Sequence, residues 1–351
     1  MAKQKILPLF IPMEGCPRRC IYCDQHAISG QAAPVSAAEV AQAAESLPVD
    51  SGVQLAFYGG SFTALTEARQ TELLQAVQPA LAQRRITSLR LSTRPDAVDA
   101  ATLARLRGYG VTAVELGVQS FDDAVLRASG RGYDAEAALA ACRQVADAGL
   151  TLGVQLMCGL PGDSREACLR SAYLARELGA ALLRIYPTLV LRGTPLARLW
   201  QQGRYQPLGL AEAVEVAAEM TLLFEAGGGS MIRAGLNPSP ATEAACLAGP
   251  YHPAFGHMVR SRIKLQQALA LLAQLDEPQE LRYPRADAPQ LFGQAGANAA
   301  ELRQAYPQLT LVCAEVAPGA LIAVGGGGRA ENTLDAASRA LAAKLLANLP
   351  L

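Results

Sequence analysis

The chain has 351 residues, 51% of them hydrophobic, with 31 Lys+Arg set against 31 Asp+Glu. That length can bury one large α/β barrel or a domain with an appendage, and the even charge balance excludes a globally basic nucleic-acid binder. No apolar run reaches the roughly 18 residues that span a bilayer, and MAKQKILPLF has no long apolar stretch or small-residue cleavage site. A cytoplasmic protein is expected. Eight cysteines in a reducing compartment then point to metal or redox chemistry rather than disulfides.

In chain order, short β-type runs alternate with helical periodicity. Strands are predicted at 6–12, 53–59, 89–95, 113–119, 151–157 and 182–188, with helical stretches at 66–83, 97–108, 134–148 and 164–178. Six βα repeats with right-handed crossovers imply a parallel sheet curled into a full or partial barrel. Working residues in such barrels sit at the C-terminal ends of the strands. The unusual residues fall there: a cysteine loop after the first strand, Gly59-Gly60-Ser61 after the second, Arg94-Pro95-Asp96 after the third, and Gln119 ending the fourth.

Beyond Thr188 the pattern loosens. AGGGS at 226–230 precedes a further strand at 231–237, then a Pro-rich stretch and a long helix at 258–276. The remainder reads strand 281–285, helix 297–305, strands 309–316 and 320–325, a glycine turn at 325–328 and a helix at 330–347. This gives an α/β barrel domain over 1–277 and a small α+β appendage over 278–351.

The stretch FIPMEGCPRRCIYCDQ holds Cys16, Cys20 and Cys23. With His26 they could supply the four ligands of a structural zinc ion. A cubane iron–sulfur cluster has four irons, normally all held by cysteines, so three cysteines would leave one iron open to a substrate's amine and carboxylate. Packing as three plain buried thiols is the bland alternative. The tight turn at Gly15 and the arginines Arg18 and Arg19 favour an anionic cluster loop.

Cys-x₃-Cys-x₂-Cys with an aromatic residue, Tyr22, before the last cysteine resembles the signature of radical S-adenosylmethionine (SAM) enzymes. The resemblance implies a partial (β/α)₆-type TIM barrel. It also implies a 4Fe–4S cluster on Cys16, Cys20 and Cys23, whose open iron binds SAM, and reductive cleavage to a 5′-deoxyadenosyl radical that abstracts hydrogen. An electron donor such as flavodoxin or ferredoxin is implied as partner. Gly59-Gly60-Ser61 resembles the element whose exposed backbone binds the methionine amino group, an approach that glycine permits. ELGVQSFDDAVLRASGR looks like the fourth-strand region of the branch that includes oxygen-independent coproporphyrinogen III oxidase. By that likeness Gln119 contacts the ribose and Arg131 the methionine carboxylate, and Ser92 stands where relatives place a polar cofactor contact. Gln155 replaces the carboxylate of that branch.

RLSTRPDAVD, VELGVQS and LRIYPTLVLRGTPLARLWQQGRY resemble the catalytic subunit of Elongator over roughly residues 6–206, which implies tRNA as the substrate. There an acetyltransferase domain follows the barrel. Here only the short appendage follows, so the whole Elongator reaction is not expected. A tetrapyrrole enzyme, and a non-catalytic zinc or RNA-binding scaffold, are the alternatives. Arg184 and Tyr186 alternate toward one face of the sixth strand and are substrate-facing candidates. His252 and His257 flank an aromatic turn at a spacing that suits loop packing, and Cys142, Cys158, Cys168, Cys246 and Cys313 lack metal spacing. Gly293-x-x-Gly296 resembles the GxxG loop of KH domains, although Gln294 and Ala295 replace the usual basic pair and helix capping also accounts for the glycines.

Overall fold

The computed structural model of the chain describes residues 5–16, 20–30, 33–326 and 328–350, with backbone alone at 331–335. Arg18 and Arg19 lie outside the described residues. From the N-terminus, β1 (Lys5–Phe10) leads through α1 (Gln25–Ser29) and α2 (Ala37–Glu45) to β2 (Val53–Tyr58). Next, α3 (Glu67–Ala76) and α4 (Gln78–Ala82) reach β3 (Ser88–Thr93), and α5 (Ala100–Gly108) reaches β4 (Val111–Gln119). Then α6 (Asp123–Ala128) and α7 (Ala135–Asp147) precede β5 (Thr151–Cys158), and α8 (Arg165–Glu177) precedes β6 (Leu182–Pro187). A short strand β7 (Val190–Leu191), α9 (Pro195–Gln201) and α10 (Leu210–Glu225) come before β8 (Ser230–Ala234).

β1 to β6 and β8 form one seven-stranded sheet in sequential order, every neighbouring pair parallel. It curls into a half-barrel whose edges, β1 and β8, are not paired with each other. Pro8 sits in β1, where an edge strand tolerates a residue that cannot donate to a ladder. Alternation along each strand sorts the residues. Leu55, Phe57, Leu89, Leu91, Val114, Leu116, Val154 and Ile185 pack outward into the main core under the helices. Arg90, Glu115, Gln155 and Arg184 point inward and line a cavity.

After β8 come α11 (Pro240–Ala245), β9 (Cys246–Ala248), which pairs with β7, and the long α12 (Phe255–Leu272). The chain continues through β10 (Pro278–Tyr283), α13 (Ala288–Phe292), α14 (Ala297–Ala305), β11 (Thr310–Cys313), β12 (Ala320–Gly325), β13 (Gly328–Thr333) and α15 (Leu334–Ala347). β10 to β13 make a mixed four-stranded sheet in the order β11-β10-β12-β13. α12 joins the two halves. Its Val259 and Ile263 belong to the main core, and its Leu265, Ala268, Leu271 and Leu272 belong to a second core with Leu281, Leu302 and Leu321. α15 folds back onto the barrel, where Ala342 is buried in the main core and Leu341 and Leu345 pack against it.

Two elements differ from the sequence reading. The stretch 188–226 contains α10, whose residues are buried almost throughout. Its polar stripe is narrow, Glu212, Glu215 and Glu219 on an otherwise apolar helix, so the helical period is weakly marked. The segment expected to start a helix at 330 instead pairs with β12 through Thr333, because the glycine turn closes an antiparallel hairpin in which Gly325 faces Gly328.

Candidate active site

The C-terminal ends of the strands open into a cavity of about 1170 Å³, lined by Cys16, Cys20, Tyr22, Cys23, Gly59, Gly60, Ser61, Ser92, Gln119 and Arg131. The three cysteines and every residue assigned to the cofactor by resemblance thus lie on one surface, and His26 is not among its lining residues. The cysteine loop after β1 is locked to the turn after β2 by backbone contacts that only glycine allows. A Cβ on Gly60 would stand 2.4 Å from the carbonyl oxygen of Ile11 and 2.5 Å from that of Glu14, and one on Gly15 would stand 2.3 Å from that of Ser61. Between these glycines the Ser61 amide donates to the Glu14 carbonyl at 3.0 Å. Gly15 also adopts φ +73°, a region closed to most side chains.

The thiols are close enough to affect one another. Burial, then the neighbouring Cys20 and Cys16, push the Cys23 thiol up to about 12. Cys16 Sγ lies 3.3 Å from Ser61 Oγ. Cys20 Sγ accepts from Arg131 Nη1 at 2.9 Å. Arg131 is buried, and it also donates to the Tyr22 hydroxyl at 3.3 Å, the Tyr133 hydroxyl at 2.9 Å and the Gly117 carbonyl. Its guanidinium thereby ties the cysteine loop to β4. Crowded, buried thiols ionise readily only when cationic charge is placed among them, so the donor set suits a metal group. Among the described residues no three His, Cys, Asp or Glu side chains are gathered as one ion would need. A zinc ion would draw its sulfurs to about 2.3 Å from a single centre, whereas a cubane spreads its cysteines over separate irons.

Gln119 ends β4 with φ +71°, in the left-handed region, and is almost fully buried. The register of β4 slips between Leu116 and Gln119, and such irregularities re-aim side chains. Gln155 donates from Nε2 to Gln119 Oε1 at 3.1 Å, so the residue that replaces the carboxylate of the resembled branch supports Gln119.

Deeper in the half-barrel lies a charged network that the sequence reading found only in part, through Arg184 and Tyr186. Glu115 Oε1 accepts from Arg90 Nη1 at 2.8 Å, from the Tyr58 hydroxyl at 3.0 Å and from Arg184 Nη2 at 3.2 Å, while its Oε2 accepts from Arg184 Nε. Arg184 also donates to the hydroxyls of Tyr58, at 2.6 Å, and Tyr186, at 3.3 Å. Gly153 leaves the space for this, since a Cβ there would lie 2.8 Å from Glu115 Cγ. Burial pushes the Glu115 carboxyl up, but Arg184 and then Arg90 outweigh it and hold it below the ordinary carboxylate value. The signal in the sequence was the alternation itself. Arg90, Glu115 and Arg184 each sit between apolar neighbours in the middle of a strand.

The remaining candidates stand apart from the cavity. His252 Nδ1 accepts from the Ala254 amide at 3.0 Å and His257 Nε2 lies 3.3 Å from Ser261 Oγ, both local contacts. Cys142, Cys158 and Cys168 are buried, Cys246 is half-buried and Cys313 is exposed. In the GxxG stretch Gly293 and Gly296 both adopt positive φ, and Gly296 caps the N-terminus of α14.

No helix among the described residues is long and apolar enough to cross a membrane. Residues 10–172 match the model of the radical SAM superfamily, and 180–265 match that of a radical SAM C-terminal domain. A tRNA uridine(34) acetyltransferase of Methanocaldococcus infernus is 32% identical over 153 residues, which are 43% of this chain and 28% of that protein. Protein YhcC of Escherichia coli is 27% identical over 218 residues, 58% of this chain and 70% of that one. The chain thus spans little more than a quarter of the length of the first of these relatives. The solved structure of the M. infernus Elp3 lacking its N-terminus shares the fold, with a TM-score of 0.59 and 21% identity over 74% of this chain and 62% of that one. The cysteine loop, the parallel half-barrel and the two matched models together place the chain in the radical SAM enzyme superfamily.

Proposed function

We propose that this chain binds a 4Fe–4S cluster through Cys16, Cys20 and Cys23, cleaves SAM, and abstracts a hydrogen from an RNA substrate, with tRNA as the first choice. The observation that carries the reading is the convergence of three thiols, the Gly59–Ser61 turn, Gln119 and Arg131 on one cavity. When bound, the cluster supplies the electron that splits SAM into methionine and the 5′-deoxyadenosyl radical that abstracts hydrogen.

The protein's own groups do the rest. The backbone at Gly59 and Gly60 is open to the cavity and offers polar groups to an amino acid. Ser92 and Gln119 offer polar side chains toward the nucleoside. Arg131, anchored at Cys20 and at the Gly117 carbonyl, brings its positive charge to the methionine carboxylate. Tyr22 packs beside it and excludes water from the loop. The substrate class rests on the relatives, whose names specify uridine 34 of tRNA. The reading also implies a cytoplasmic enzyme served by a flavodoxin or ferredoxin.

Anaerobic reconstitution tests the core of it. A brown protein that forms 5′-deoxyadenosine from SAM with a reductant is the expected result, and a colourless protein retaining one zinc ion overturns it. Nucleic acid retained on anaerobic purification tests the substrate. Recovery of tRNA supports the assignment, whereas a bound tetrapyrrole replaces it.

A further inference from the structure

Arg184 of β6 and Arg233 of β8 are direct register partners, and both line the cavity. Partners on adjacent strands stand about 4.8 Å apart on one face of a sheet, although the Arg184 guanidinium reaches away from β8 to Glu115 and Tyr58. A bulge creates the juxtaposition. The register runs Leu183↔Met231 and then Arg184↔Arg233, leaving Ile232 as the extra residue. In an unbroken register Arg233 would stand opposite Ile185, which is buried in the outer core. The bulge turns Arg233 inward and leaves Ile232 37% exposed.

The charge gathered there is unbalanced. Glu115 is the one carboxylate among the described lining residues, and Arg90 and Arg184 already share it. Arg233 donates from Nε to the Gly235 carbonyl at 3.1 Å, and among the described residues no carboxylate pairs with it. Its two terminal nitrogens are therefore left as a fork on the cavity wall.

We propose that Arg233 holds an oxyanion of the substrate, a carboxylate or a phosphate, in the β8 wall of the cavity. A guanidinium fork matches either anion bidentately, and the excess of positive charge on the cavity lining favours an anion there. This deepens the functional reading by giving the substrate an anionic group, and it rests on that reading only in taking the cavity as the substrate site.

The test is calorimetric titration of the full chain with inorganic phosphate and, separately, with acetate, against chloride at equal ionic strength. Saturable binding of at least one anion is expected, weakened about tenfold in Arg233→Gln and unchanged in Arg143→Gln, an exposed arginine on α7. Binding of phosphate alone assigns the site to a phosphate, and binding of acetate alone assigns it to a carboxylate. Binding of neither, or equal binding by a normally folded Arg233→Gln, overturns the proposal. Among the described residues Arg233 has no ion pair to break, so the variant is expected to keep the parent's thermal transition. SAM cleavage without substrate is read separately. A chain that binds the anion but never forms 5′-deoxyadenosine keeps the site and loses the radical reading, and the converse result loses only the site.

Discussion

Cys20 and Arg131, 111 residues apart in sequence, meet at 2.9 Å, with the guanidinium donating to the thiol. That contact couples the loop after β1 to the end of β4, and it makes Cys20 the most deeply anchored of the three thiols. Cys20→Ala should purify without iron or sulfide and form no 5′-deoxyadenosine. Cys142→Ala is the comparison. Its thiol is buried in the main core, far in sequence from the loop, so it should cost about 1 kcal/mol of stability and leave the iron content as in the parent. Iron and sulfide assays on both proteins decide whether thiol position or thiol number matters.

The Glu115 network predicts a pH dependence. Its carboxyl is held below the ordinary value by Arg184 and Arg90 in spite of burial, so folding favours the ionised form. The stability this confers is present above the unfolded value of about 4.3 and is lost as pH falls through the lowered folded value. Glu115→Gln leaves the buried Arg90 and the half-buried Arg184 without their carboxylate and should cost about 3–5 kcal/mol near neutrality. The gap between parent and variant should narrow below about pH 4.3. Urea titrations at several pH values measure it, and a gap constant with pH would remove the ion pairs from the account.

Glycine at position 60 is a matter of space, not of backbone freedom. Gly60→Ala places a Cβ at 2.4 Å from one carbonyl oxygen and 2.5 Å from another. It should destabilise by about 1–3 kcal/mol and reduce cluster uptake, because the two loops must part. Gly108→Ala on α5 meets nothing within 4 Å and should stabilise by about 0.5–1 kcal/mol. Thermal melts of the two variants should move in opposite directions.

Removal of residues 278–351 should not yield a soluble barrel. The truncation strips Leu265, Ala268, Leu271 and Leu272 of α12 of their cover and takes α15 away from the main core. It also leaves the buried Lys264 without Asp287, to which its Nζ donates at 2.7 Å. The expected outcome is inclusion bodies on expression. A monomeric, cooperatively melting product would show the barrel to be independent of the C-terminal sheet and of α15.

Much of this architecture was legible in the chain because its strands are short, apolar and regularly spaced. Strand positions from β1 to β6 were readable to within two residues, since alternation with amphipathic helices such as α7 and α8 leaves a clear change of period. The three cysteines were legible as a local motif. Gln119 and Arg131 were legible only by resemblance, since nothing local distinguishes Arg131 from a surface arginine, whereas in the fold it is buried against Cys20. Arg233 was not legible at all. Its inward aim depends on a bulge whose only trace is the pairing of β8 with β6. α10 escaped notice because it is apolar on nearly every side, and α15 looked like part of a separate unit because its partners lie more than a hundred residues earlier.

A closed barrel has no loose borders, but this half-barrel has two, at β1 and β8. Each carries a device that discourages foreign strands from adding to it. β1 contains Pro8, a residue unable to offer an amide, and begins at a lysine, while β8 is kinked by its extra residue at Ile232. The irregularity that turns Arg233 inward thus also guards the protein against edge-to-edge aggregation. Straightening β8 by deleting Ile232 would give up both at once.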